Sequence, residues 1–77
     1  MKQCRIMLKT IDDIRSFVNI VSRFDCDIDL ASGRYVVDAK SIMGIFSLDL
    51  SKPILVTVRD DRFADEILQA IVPFRIL

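Results

Sequence analysis

Two stretches of this sequence carry apolar residues at helical spacing, and the segments around them alternate at period 2. That combination constrains the fold more than any other feature. In residues 11–24, Ile11, Ile14, Phe17, Val18, Val21 and Phe24 fall on one helical face, with Ile20 at its edge. In the second, opened by Asp60 and Asp61, the face is Phe63, Ala64, Ile67, Leu68 and Ile71, and Pro73 ends the run. Residues 3–9 place Cys4, Ile6 and Leu8 against Gln3, Arg5 and Lys9, with Met7 the one apolar residue on the polar side. A helix with one apolar stripe needs an apolar sheet face to bury it.

The remaining elements follow the same logic. Residues 27–31 and 34–38 read as strands joined at Ser32-Gly33, a hairpin signal. Ile28 and Leu30 alternate with Asp27 and Asp29, and Tyr35, Val36 and Val37 are strand formers. Residues 54–58 form a further strand after the Pro53 loop. The expected order is strand, helix, strand, strand, short helix, strand, helix, in one α+β domain spanning residues 1–77 with helices packed on a sheet. The tail from Phe74 to Leu77 is mostly apolar and matches no element.

Helix starts are marked. Thr10 is a candidate N-cap, and Asp12 and Asp13 lie in the first turn, where the backbone dipole favours carboxylates. Arg23 suits the opposite end. Ser41 is the candidate cap of the short helix over residues 41–48. Ile42, Met43, Ile45, Phe46 and Leu48 are too many apolar residues for one narrow stripe, so part of that helix faces solvent or a partner. Gly44 costs this helix some stability, and Asp49 lies where a left-handed C-cap is often needed.

Composition removes several function classes. Eleven basic residues balance eleven acidic ones with no basic stripe, which argues against nucleic acid. No apolar run approaches the ~20 residues of a membrane span. Lys2 and Arg5 precede no continuous apolar segment, so a signal peptide is not expected. Cys4 and Cys26 form no CxxC pair and there is no histidine, which leaves no zinc ligand set. Both are expected to be buried, reduced thiols of a cytoplasmic protein. Asp12 and Asp13 read as a solvated helix start, not an acid–base pair, and no enzyme activity or metal is expected.

The segment Val37-Asp38-Ala39-Lys40-Ser41-Ile42-Met43-Gly44-Ile45-Phe46-Ser47-Leu48 resembles the histidine-containing phosphocarrier protein, HPr, of the bacterial sugar phosphotransferase system. Lys40-Ser41-Ile42-Met43-Gly44 with Ser47-Leu48 is similar to the Gram-positive form. Phe17-Val18 fits the family's first helix, and residues 61–66 fit the opening of its last. The resemblance covers roughly residues 3–72. It implies an open-faced β-sandwich, a four-stranded antiparallel sheet with three helices on one face.

The resemblance also implies two phosphorylation sites. One is a histidine that receives a phosphoryl group from enzyme I. Counted back without gaps from Lys40-Ser41, it falls on Thr10, its companion arginine on Asp12 and the following proline on Asp13. Threonine forms no labile phosphoramidate, and carboxylates repel a phosphoryl group. The other site, a serine modified by a dedicated kinase, falls on Ser41. The side chains that dock onto partners fall on Ile42, Met43 and Phe46. The family glycine is replaced by Asp49. A catabolite-repression paralogue in the family has likewise lost the histidine and kept the serine. The resemblance therefore implies a regulatory protein without carrier activity, with a kinase or regulator as protein partner and no cofactor. The alternative is an HPr fold reused as a structural or interaction domain, with Ser41 unmodified.

Overall fold

The period-2 segments pair into one antiparallel sheet in the computed structural model, which describes residues 1–76. The elements are β1 (Lys2–Ile6), α1 (Ile11–Val21), β2 (Ile28–Ser32), β3 (Tyr35–Asp38), α2 (Ile42–Phe46), β4 (Ile54–Val58) and α3 (Asp61–Ala70), then a 3-10 turn at Val72–Phe74. The strand order is β1-β4-β2-β3.

Register sorts the side chains onto two faces. Cys4, Val56, Leu30 and Val37 form one cross-strand row, and Ile6 pairs with Ile54 on the same side. This face meets the helices. Ile14, Phe17 and Val21 of α1, Ile45 of α2, and Ala64 and Ile67 of α3 are buried against Ile6, Leu30, Ile54 and Val56. Each such Ile or Phe contributes roughly 1.5–3 kcal/mol through burial. The opposite face carries the rows Gln3-Thr57-Asp29-Asp38 and Arg5-Leu55-Ala31-Val36. Thr57, the one buried polar residue among those described, accepts a hydrogen bond from Gln3 Nε2 at 3.1 Å. Arg59 Nε donates to Asp29 Oδ2 at 2.9 Å on the same side.

The structure moves some boundaries expected from sequence. The hairpin turns at Gly33-Arg34 and not at Ser32-Gly33, because Ser32 pairs with Tyr35. Gly33 has φ +59°, and among the described residues no non-glycine residue shares that region. A positive φ at the first central residue alone is the type II′ pattern that suits twisted strands. Helix α1 stops at Val21, so Arg23 lies past its last turn. Ile11, expected on the buried face, is mostly exposed in the first turn. Asp49 is not left-handed. Its carboxylate instead accepts Ser51 N–H at 3.1 Å and the Ser51 hydroxyl at 2.6 Å. Cys4 and Cys26 are unpaired and half-buried, not fully buried.

The unassigned tail has a role. Met7 N–H donates to Phe74 O at 2.9 Å, and Ile76 N–H donates to Arg5 O at 3.0 Å. Phe74 meets Phe17 edge-on, with ring centroids 5.9 Å apart and an 82° interplanar angle. Residues 74–76 thus cover the outer edge of β1 and pin it to α1. Leu77 lies outside the described residues.

Candidate functional site

Two helix starts carry the residues singled out from the sequence, and their chemistry differs. At α1, Thr10 is extended (φ −132°, ψ 165°) and its hydroxyl oxygen accepts the Asp13 N–H at 3.0 Å. Asp13 Oδ2 in turn accepts the Lys9 N–H at 2.9 Å. This cap satisfies the Asp13 amide of the first turn and ties the turn back to the residue before the cap. Asp12 adds a second carboxylate to the same turn. A shallow hollow beside it is lined by Lys9, Asp13, Phe74 and Arg75, so an anion already stands among the cations there. A phosphoryl group at this corner would meet two carboxylates and no imidazole to receive it.

At α2 the start is built differently. Ser41 N–H donates to Asp38 O at 3.0 Å, and Lys40 N–H donates to Asp38 Oδ1 at 2.9 Å, which folds the end of β3 directly into the helix. Buried Ala39 donates its N–H to Ile28 O at 2.9 Å and holds that turn against β2. Ser41 is extended (φ −101°, ψ 104°), and its Oγ accepts the Gly44 N–H at 3.1 Å. The hydroxyl proton stays outside that bond.

Lys40 was legible only as the neighbour of Ser41. Its Nζ donates to Phe24 O at 2.6 Å, tying the entry of α2 to the chain leaving α1. Gly44 has a steric reason to be glycine. A Cβ there would lie 3.2 Å from Ser41 Oγ and 3.2 Å from Val37 Cβ. The small residue lets α2 approach β3 and leaves room beside the Ser41 hydroxyl.

The apolar residues of α2 divide as the crowded pattern required. Ile45 and Leu48 enter the core, Ile42 is half-buried, and Met43 and Phe46 are exposed at 78% and 46%. Ser41, Met43 and Phe46 thus share one short helix whose outer face leaves Met43 largely, and Phe46 about half, uncovered by the described residues. Ser47 Oγ donates to Gly44 O at 2.5 Å and closes the helix.

A cleft elsewhere is lined by Asp25, Cys26, Asp27, Lys40, Arg59 and Asp60. Burial pushes the Cys26 thiol above its ordinary pKa and outweighs the Lys40 charge, so the cleft holds no activated thiolate. Burial raises Cys4 likewise. Among the described residues no group of three or more potential ligands could hold a metal ion, and no helix is long and apolar enough to cross a membrane.

Residues 14–74 match the sequence profile of the family described as PTS HPr component phosphorylation site. The match begins immediately after the Thr10–Asp13 cap. The crystal structure of HPr-C-His from Thermoanaerobacter tengcongensis is 30% identical, with a TM-score of 0.81 over 95% of this chain and 89% of that one. The phosphocarrier protein HPr from Bacillus anthracis is 28% identical, with a TM-score of 0.76 over 97% of this chain and 96% of that one. The histidine-containing phosphocarrier protein of a Mycoplasma, at 21% identity and a TM-score of 0.70 over 91% and 84% of the two chains, shares the fold. No curated protein sequence matches the chain.

Proposed function

The chain belongs to the HPr family of the phosphotransferase system, and we propose that it is a regulatory, protein-binding member that has given up histidine phosphotransfer. In this proposal Ser41 receives a phosphoryl group from an HPr kinase. Ile42, Met43 and Phe46 contact the kinase or a regulator of carbon catabolism or of the phosphotransferase system. The protein has no catalytic role of its own, needs no cofactor and acts in the cytoplasm.

The observation that carries this is the contrast between the two helix starts. At α1, the Thr10 hydroxyl caps Asp13 N–H, the Asp13 carboxylate is tied to Lys9 N–H, and the chain has no histidine. At α2, the Ser41 hydroxyl caps a helix whose Met43 side chain, two residues on, is 78% exposed. Phosphorylation of Ser41 would add negative charge beside backbone amides that tolerate it, next to an apolar contact surface.

A second reading is an HPr fold kept as an interaction domain with Ser41 unmodified. The half-buried Ser41 and its use as a cap favour it. Intact mass after incubation with a Gram-positive HPr kinase and ATP separates the two. One added phosphate, absent in Ser41→Ala, is expected. No added mass on a folded chain would refute the regulatory reading and leave the interaction domain.

A further inference from the structure

The sheet has two outer edges, and among the described residues only one is covered. The β1 edge is paired by the tail through Ile76 N–H to Arg5 O and the Ile6–Arg75 bridge. The β3 edge lies at the other side of the sheet, with Tyr35 and Val36 exposed at 69% and 64%. Bare edges with exposed apolar side chains pair with other chains unless something blunts them.

Ladder geometry says which groups are free. The two-residue turn makes Ser32 and Tyr35 a hydrogen-bonded pair, and Leu30 and Val37 form the next. The backbone N–H and C=O of Val36 therefore point away from β2, as does the Asp38 N–H. The Asp38 carbonyl is taken by Ser41.

We propose that β3 is a self-complementary docking edge whose occupant is the β3 strand of a second copy, related by a two-fold axis through Val36. Antiparallel pairing about that centre places Val36 opposite its counterpart and exchanges two hydrogen bonds between them. It sets Tyr35 opposite Val37 of the other copy on the helix side. It sets Arg34 opposite Asp38 of the other copy, twice, on the open side. The charges at the two ends of this strand have opposite sign, so only an antiparallel second copy pairs both. A parallel copy would place like charges together, which is destabilising. The edge is one short strand, so the contact is weak, with half-association at about 0.1–1 mM.

Sedimentation velocity over a concentration series up to ~1 mM tests this. Reversible dimer formation is expected, with amide shifts in solution NMR concentrated at residues 34–38. Val36→Pro removes an outward amide and costs the internal ladder nothing, so it should stay folded and monomeric. Arg34→Asp and Asp38→Arg should each abolish self-association, and a mixture of the two variants should restore it as a heterodimer. That restoration is a readout that a damaged fold would not give. A wild-type chain that stays monomeric at ~1 mM, or a dimer unaffected by Val36→Pro, would overturn the proposal.

Discussion

Thr10 and Asp13 fasten the entry of α1 with two side-chain-to-backbone hydrogen bonds. The threonine oxygen accepts the aspartate N–H at 3.0 Å, and the aspartate carboxylate accepts the N–H of Lys9, next to the threonine, at 2.9 Å. The cap occupies the Asp13 amide of α1 and ties the Asp13 carboxylate back to the residue before the cap. A corner that carries phosphate as a phosphoramidate needs a nitrogen nucleophile beside the helix start, and this chain has no histidine to supply one.

Removing the cap should weaken the fold without creating a carrier. Thr10→Ala is expected to lower stability by about 1 kcal/mol in urea unfolding followed by circular dichroism. Thr10→His should gain no phosphoryl group from enzyme I, because Asp12 and Asp13 still face the incoming charge. Adding Asp12→Arg and Asp13→Pro should allow measurable transfer.

Gly44→Ala should reverse the usual helix rule. In an open helix alanine would gain roughly 0.5–1 kcal/mol over glycine. Here the added Cβ meets Ser41 Oγ and Val37 Cβ, each at 3.2 Å, and crowding of that kind costs about 1–3 kcal/mol. A net loss of about 1 kcal/mol is expected in chemical denaturation.

Lys40 fastens α2 to the end of α1 through its 2.6 Å bond to Phe24 O. Lys40→Met keeps the stem and deletes the donor. Stability should fall by about 1–2 kcal/mol, and amide exchange should quicken at residues 24–26 and 39–41.

Much of this was legible in the sequence, and the exceptions share a cause. The stripes of α1 and α3 and the strand at Ile54–Val58 announce themselves because each repeats one period over several residues. Ser41 as a cap and the split of α2 into core and exposed residues follow from local pattern alone. The tail did not, because Phe74 and Ile76 acquire meaning only once β1 offers an edge and Phe17 a ring. Gly44 was legible as a cost but not as a close approach, since Val37 becomes its neighbour only through the turn at Asp38. Ile11 fits the stripe by spacing yet is mostly exposed in the first turn of its helix.

The tail interaction gives a further test. Phe74→Ala removes the edge contact with Phe17 and loosens the cover on β1. A loss of about 2–3 kcal/mol is expected in thermal or urea unfolding, below the value for a fully buried ring because Phe74 is only partly enclosed.

Acid should weaken the fold through two aspartates. The Arg62 side chain and amide hold the Asp60 carboxyl below its usual range, and the Ser51 hydroxyl and amide do the same for Asp49. Both carboxyls have a lower pKa folded than unfolded. Their contribution is therefore present above the unfolded value of about 3.9 and is lost as pH falls through the folded one. Urea midpoints should be level near neutrality and decline below about pH 4, and Asp60→Asn should shrink the decline.

The proposed function requires that the start of α1 no longer carries a phosphoryl group. The most direct measurement is the intact mass of the folded chain after incubation with phosphorylated enzyme I, beside a histidine-bearing HPr as positive control. The control should gain one phosphate and this chain none. A phosphate transferred from enzyme I to this chain would contradict the account, because an acceptor other than histidine would then be serving as the carrier.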